Sequence, residues 1–555
     1  MPITSKKLQD ELEKKIHQIG LDSEEDAAKK LAVSLGLKYS DLTMLPIDRD
    51  ALIMISEEEA ISGQLVVISK SGNHLIIAVK DPQNEETKRI IETLKDRNFT
   101  YNIVITSRQE LENVWERYKT FKRTEKKQLG IVSISEEKIE ELRNSIENIK
   151  DLAEKIKKLN TSEVIDILIS GALKIGASDV HLEPEKDGLR VRYRMDGVLS
   201  DITDLSLAEY PKILSRIKLV SGLKININNT PQDGRFTIQL HDKNIEVRVS
   251  ILPGAYGEHV VMRILDPDTI SQGIEELGMR GEMLDEIKKQ LLKTNGALLT
   301  TGPTGSGKTT TLYSFIKFLN KEGVKIITIE DPIEYHIKGI SQTQVEKSKG
   351  YNFADGLRSI VRQDPDIILV GEIRDKETAE IAIQAGLTGH LVFSTLHTND
   401  AAGTIPRLLD LGANPNNIGP ALNVAMAQRL VRKLCTNCKE KKKIVSIDLN
   451  EIKTELEKTP KLTKDLSLLN ENIEIYYPKE GGCDKCNGLG YKGRVGIFEM
   501  FVIDDEIEKL ITTSPSIPEV RDFAISKGMI TMKQDGYLKV INGSTSIEEV
   551  KRVVG

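Results

Sequence analysis

The stretch Gly302-Pro-Thr-Gly-Ser-Gly-Lys308-Thr309 constrains this chain more than any other. It satisfies G-x-x-x-x-G-K-[ST] at every fixed position. Ala297-Leu-Leu299 precedes it as a buried-strand run, and Leu312, Phe315, Ile316 and Leu319 follow at i, i+3, i+4 and i+7, the spacing of a helix. Strand, glycine-rich loop and helix together make a phosphate cradle. Gly302, Gly305 and Gly307 let backbone N–H groups turn inward with no Cβ in the way, and the helix N-terminus adds partial positive charge. Pro303, Thr304, Ser306 and Thr310 complete the nucleotide-holding run. Lys308 is expected to reach the β- and γ-phosphates, and the Thr309 hydroxyl to ligate Mg²⁺.

A chain of 555 residues exceeds one core and implies three or four domains. With a net charge of −6 and 4% aromatic residues, neither a phosphate-neutralising surface nor base stacking is favoured, so no direct nucleic-acid partner is expected. No apolar run approaches the roughly 18 residues of a transmembrane segment. The start, Met1-Pro-Ile-Thr-Ser-Lys-Lys7, leads into charged sequence rather than an apolar leader. These features predict a cytoplasmic protein whose membrane work goes through a partner.

Residues 1–125 read as a small α/β unit, with helices over Leu8–Ile19 and Ser23–Leu35 and strands at 64–70 and 74–80 around a Ser71-Gly72-Asn73 turn. Trp115, on a charged helix, reads as packing. Residues 126–160 read as a helical linker, with alternating charge predicting a solvated helix from Ser135 to Leu159. In 161–267, Leu189-Arg-Val-Arg-Tyr-Arg and Ile245-Glu-Val-Arg-Val-Ser-Ile alternate with period two, predicting antiparallel strands with arginine on the open face. In 268–432, strand-like runs at Leu298, 325–330, 367–371 and 390–394 alternate with helical segments, which predicts a parallel sheet covered on both faces. Residues 433–497 hold the cysteines, and 498–555 read as helical.

Strand C-termini of a parallel sheet converge on the phosphate-loop edge. Glu330-Asp331-Pro-Ile-Glu334 ends one strand with three carboxylates, Asp364-to-Asp375 places Glu372 at the end of a second, and Ser394-Thr-Leu-His397-Thr-Asn399 ends a third. A carboxylate there holds Mg²⁺ or polarises the attacking water, and His397 is placed to sense the γ-phosphate.

All four cysteines fall in two knuckles, Cys435-x-x-Cys438 and Cys483-x-x-Cys486. Paired C-x-x-C knuckles predict a structural Zn²⁺ held by four thiolates, with a redox pair as the alternative.

This set resembles the secretion ATPases, the type II secretion and type IV pilus assembly motors. The phosphate loop looks like their Walker A, 329–334 their Asp box, 371–375 their Walker B and 395–399 their His box. The likeness runs over about 161–555, including Gly176-Ala-Ser-Asp-Val-His181 and the tetracysteine module, and more weakly over 1–125. It implies an α/β multidomain fold: a RecA-like core with a parallel sheet, a preceding PAS-like α+β domain, an N-terminal partner-docking domain and a zinc module. It also implies Glu334 as general base and Glu372 beside Mg²⁺. Arg235 and Arg248 match the family's γ-phosphate arginines, which often act from a neighbouring subunit. The family forms homo-hexamers at the inner face of the cytoplasmic membrane. ATP hydrolysis there drives an inner-membrane platform protein, with cytoplasmic pilus or secretion components, to add pilin or pseudopilin subunits. Pilus assembly is favoured over type II secretion. RecA-like rings also include nucleic-acid motors, and a nucleotide-gated scaffold without turnover is a third reading. Some assembly motors bind cyclic di-GMP through a motif opening Arg-Leu-Gly; here Gln18-Ile19-Gly20 stands in its place, so that ligand is not expected.

Overall fold

Short apolar runs, Leu65–Ile68, Leu75–Val79 and Ile103–Ile105, set the sheet of the first unit, Met1–Gln128. In the computed structural model its strands are β1 (Lys38–Tyr39), β2 (Leu65–Ser71), β3 (His74–Val79) and β4 (Thr100–Ile105), ordered β1-β4-β3-β2. The structure describes residues 24–555 apart from 43–44, 46, 48, 53, 72, 97–98, 126–130, 133–147, 159–163, 241–243, 268–271, 347–348, 463–465, 467–468 and 471. The expected helix Leu8–Ile19, the Gln18-Ile19-Gly20 stretch and most of the expected helix Ser135–Leu159 lie outside the described residues. Helices over 24–35, Glu85–Asp96 and Arg108–Glu125 accompany the sheet. Trp115 packs against the core, and its indole N–H donates to the Leu65 carbonyl at 3.4 Å.

The second unit, Leu129–Gly555, holds two large sheets. The first contains β5 (Ile131–Val132), β6 (Ala177–Pro184), β7 (Leu189–Met195), β8 (Val198–Leu205), β9 (Gln232–Gln239), β10 (Asn244–Gly254) and β11 (Gly257–Leu265). Their order is β5-β9-β10-β11-β6-β7-β8, antiparallel except for β5 on β9. The alternation works as expected. Leu189, Val191, Tyr193 and Met195 of β7 are buried, while Arg190, Arg192 and Arg194 take the other face. Helices Val164–Ile175 and Tyr210–Val220 join this core, and the Tyr193 hydroxyl donates to the Leu168 carbonyl at 2.6 Å. One expectation is corrected. The described part of the solvated linker, the helix Ile149–Lys158, buries Leu152 and Ile156 in this core. These two, with Ile149 packed beside them, form a short apolar stripe that docks a helix charged elsewhere.

The second sheet contains β12 (Gly296–Thr301), β13 (Ile326–Glu330), β14 (Ser341–Gln344), β15 (Ile367–Val370), β16 (Leu391–Leu396) and β17 (Leu422–Leu434). After the two-stranded ladder β18 (Glu440–Lys443) and β19 (Glu474–Tyr477), the chain returns as β20 (Tyr491–Val502). The order is β14-β13-β15-β16-β12-β17-β20, parallel as far as β17, with β20 antiparallel on it. β12, β13, β15 and β16 are buried along their whole length, as strands of a doubly covered parallel sheet must be. Residues 498–502, expected to be helical, complete β20 instead. Gly493 and Gly496 break its apolar pattern, which hides the strand in the sequence.

Candidate nucleotide site and cysteine cluster

The four buried parallel strands β12, β13, β15 and β16 aim their C-termini at one edge, and the phosphate loop leaves β12 there. Gly302 lies at φ +142° and Gly307 at φ +90°, conformations that glycine alone adopts readily. A Cβ on Gly302 would stand 2.6 Å from the Gln428 carbonyl, and one on Gly307 2.9 Å from Gln428 Nε2. The helix Lys308–Leu319 starts directly from the loop, so its free N–H groups face the cradle. Lys308 Nζ donates to the carbonyls of Gly302 at 2.6 Å and Pro303 at 3.1 Å. Burial pushes its pKa down, and the nearby Glu372 carboxylate works against that shift. A desolvated ammonium of this kind gains strongly from an anion placed beside it.

The loop opens on a cleft of about 430 Å³ lined by Thr304 to Thr310, Glu334, Glu372 and His397. These come from the loop and the ends of β13, β15 and β16, which the sequence singled out. Glu372 Oε2 lies 3.1 Å from His397 Nε2 and 2.5 Å from Arg374 Nε. The three carboxylates after β13 separate by environment. Glu330 is buried and accepts from Tyr313, from Thr328 at 2.6 Å and from Gln342 at 3.2 Å. Burial raises its pKa. Glu330 thus anchors the segment, and Glu334 stands on the cleft wall.

The polar cluster after β16 divides as well. Ser394 and Thr395 donate to the carbonyls of Val370 and Gly371, both at 2.8 Å, so these hydroxyls tie β16 to β15. His397 is left half exposed at the cleft.

Arg235 and Arg248 do not line the cleft of the phosphate loop. They line an adjoining one of about 770 Å³, which shares Arg263, Asp331 and Pro332 with it. Arg248 Nη1 pairs with Glu334 Oε2 at 2.9 Å, and Nη2 donates to the Ile333 carbonyl at 2.8 Å. Within one chain, Arg248 therefore reaches the carboxylate expected to act as base. The nucleotide cleft gains two arginines that the sequence reading passed over, Arg263 and Arg494. The run Val260-Val-Met262 before the first is apolar throughout, so no alternation in the sequence marked its face. The second depends on β20 pairing with β17, which no local pattern reveals.

The fit to a nucleotide rests on these features: strained glycines where a Cβ would collide, a desolvated lysine, and a buried Ser306 hydroxyl with no hydrogen-bond partner among the described residues.

The four cysteine sulfurs lie within 4.8 Å of one another. Cys435–Cys483 measures 3.9 Å, and Cys438–Cys486 and Cys483–Cys486 each 3.8 Å. A tetrahedron with metal–sulfur bonds of about 2.3 Å has edges of about 3.8 Å, so the set fits a metal ion. Backbone N–H groups of Cys483 and Gly490 point to Cys486 Sγ at 3.1 and 3.2 Å, which stabilises thiolate charge.

The sequence profile of the family described as Type II/IV secretion system protein matches residues 154–552. The chain belongs to this family. The MshEN domain profile matches residues 35–125. This secretion ATPase is 37% identical over 526 residues to the type IV pilus assembly ATPase PilB of Myxococcus xanthus, covering 94% of this chain and 89% of that one. It is also 37% identical over 547 residues to the type II secretion system protein E of Xanthomonas campestris pv. campestris, covering 97% and 92%. The ATPase DotB of Yersinia pseudotuberculosis, at 20% identity and a TM-score of 0.50, covers 72% of this chain and 94% of its own, and shows the shared fold. The chain is accordingly an ATP-hydrolysing enzyme of the secretion ATPase family. Among the described residues, no helix is long and apolar enough to cross a membrane.

Proposed function

We propose that this ATPase is the motor of type IV pilus assembly. It works as a homo-hexamer in the cytoplasm at the inner face of the inner membrane. There it drives a platform protein, with its cytoplasmic pilus partners, to add pilin subunits. The observation that carries the reading is the convergence of Lys308, Glu334, Glu372 and His397 on one cleft beside the phosphate loop.

Residues 302–310 hold the phosphates, with Lys308 exchanging its two carbonyl bonds for phosphate oxygens. Thr309 and Glu372 would hold Mg²⁺, which would offset the phosphate charge. Glu334 takes the proton of the attacking water. His397, held by Glu372, contacts the γ-phosphate. Arg248 is engaged by Glu334, so the arginines that neutralise the transferring group are Arg263 and Arg494 of the same cleft, or Arg235 and Arg248 once the sheet β5–β11 moves or when supplied by a neighbouring subunit. Cys435, Cys438, Cys483 and Cys486 hold a structural zinc, which fixes the chain between β17 and β20.

A second reading, a type II secretion motor, is favoured by the equal identity to the Xanthomonas protein. The deciding experiment replaces the chain in its host by the Glu334→Gln form. Loss of surface pili with secretion intact supports pilus assembly, and the reverse supports type II secretion. Retention of both overturns the proposal. Turnover per subunit that climbs with protein concentration would support a site completed by assembly.

A further inference from the structure

Gln428 lies on β17, one residue beyond Ala427, which pairs with Thr301 at the end of β12. It is 1% exposed, and its Nε2 donates to the Ser306 carbonyl at 2.8 Å. Thr304 to Thr310 line the nucleotide cleft and Gln428 does not, so the side chain stands behind the loop. A trans peptide is planar, with its C=O and the next N–H on opposite sides. Holding the Ser306 carbonyl toward β17 therefore aims the Gly307 N–H away from β17, on the cleft side. The same residue also lies where a Cβ on Gly302 or Gly307 would collide. Both invariant glycines of the loop pattern are thus packed against Gln428.

We propose that Gln428 is a positioning residue for the phosphate loop, its buried amide locking the Ser306–Gly307 peptide so that Gly307 N–H is presented to a nucleotide phosphate. The inference rests on reading residues 302–309 as the phosphate cradle. Gln428 Oε1 has no hydrogen-bond partner among the described residues. A buried amide with half of its capacity unused is poor structural glue, and its donor is what the loop uses.

The test is Gln428→Met in the full chain, which keeps the length of the side chain and removes the donor. Calorimetric titration with Mg-ATP should show affinity about tenfold weaker, the effect of one lost hydrogen bond. KM for ATP should rise more than kcat falls, and the melting temperature without nucleotide should hold or increase. Affinity within threefold of the parent overturns the proposal. So does a melting temperature that falls in step with affinity, because that marks a merely structural residue. If the Met form does not fold, Gln428→Leu, which is apolar and also lacks the donor, is judged by the same limits. Lys308→Ala separates the two readings. If it binds ATP like the parent, the cradle reading itself fails. If it loses ATP while the Gln428 variant does not, only the role of Gln428 fails.

Discussion

Gly302→Ala tests the loop geometry most directly. Gly302 sits at φ +142°, outside the region that residues with a Cβ favour, and forcing alanine there costs about 1–3 kcal/mol. The new methyl would lie 2.6 Å from the Gln428 carbonyl and 2.7 Å from Ser306 Oγ. Overpacking of this kind adds about 1–3 kcal/mol. Of these neighbours, Gln428 belongs to β17, which is held between β12 and β20 and cannot retreat. The loop moves instead, and the cost appears mainly in nucleotide affinity. A total of about 2–6 kcal/mol, at 1.4 kcal/mol per tenfold, gives a loss of about 30-fold at its lower end. The control is Gly323→Ala. Gly323 lies at φ +86° with no atom within 4 Å of its added Cβ, so alanine there costs about 1–2 kcal/mol of stability and leaves affinity unchanged. Titration with a fluorescent ATP analogue, with thermal melting in parallel, reads both quantities. The reasoning fails if Gly302→Ala binds within threefold of the parent, or if Gly323→Ala loses affinity as much.

Glu334→Gln should bind ATP normally and turn it over about 10²–10⁴-fold more slowly, the usual worth of a general base; near-normal turnover would remove Glu334 from that role. Cys435→Ser should lose about one equivalent of bound metal per chain by elemental analysis and melt at lower temperature, and a parent chain that carries no metal would contradict the zinc assignment. Glu549 is fully buried; burial opposes its ionisation, yet bonds from Arg552 and Arg432 prevail and hold its pKa down at about 2. A depressed carboxylate stabilises the fold above its unfolded pKa, and that share is lost as pH falls from about 4.5 toward 2. Glu549→Gln should therefore cost about 3 kcal/mol at pH 7 and little at pH 2, and equal losses at both would refute the pairing.

The nucleotide half of the site was legible because its signals are local. Loop, strand and helix are contiguous around Gly302–Thr309, and each acidic or histidine cluster directly follows an apolar strand. Parallel-sheet geometry then requires those strand ends to meet. The cysteine cluster was legible for a related reason, since each knuckle supplies its own pair. The charged helix Ile149–Lys158 misled because three apolar residues, Leu152 and Ile156 with Ile149 beside them, decide its docking. β20 escaped because its glycines interrupt the strand pattern.

By itself the sequence determined the phosphate loop, the carboxylates at the strand ends, the four clustered thiols and the alternation that builds a covered parallel sheet. Each depends on residues close together in the chain, where backbone stereochemistry and periodicity leave few alternatives. Tertiary structure decided which carboxylate is buried and which faces the cleft, that Arg248 grips Glu334, that Arg263 and Arg494 line the cleft, and that Gln428 backs the loop. Those outcomes depend on strands up to 190 residues apart, such as β12 and β20, being brought into one sheet, and no local pattern carries the sheet order that sets such distances.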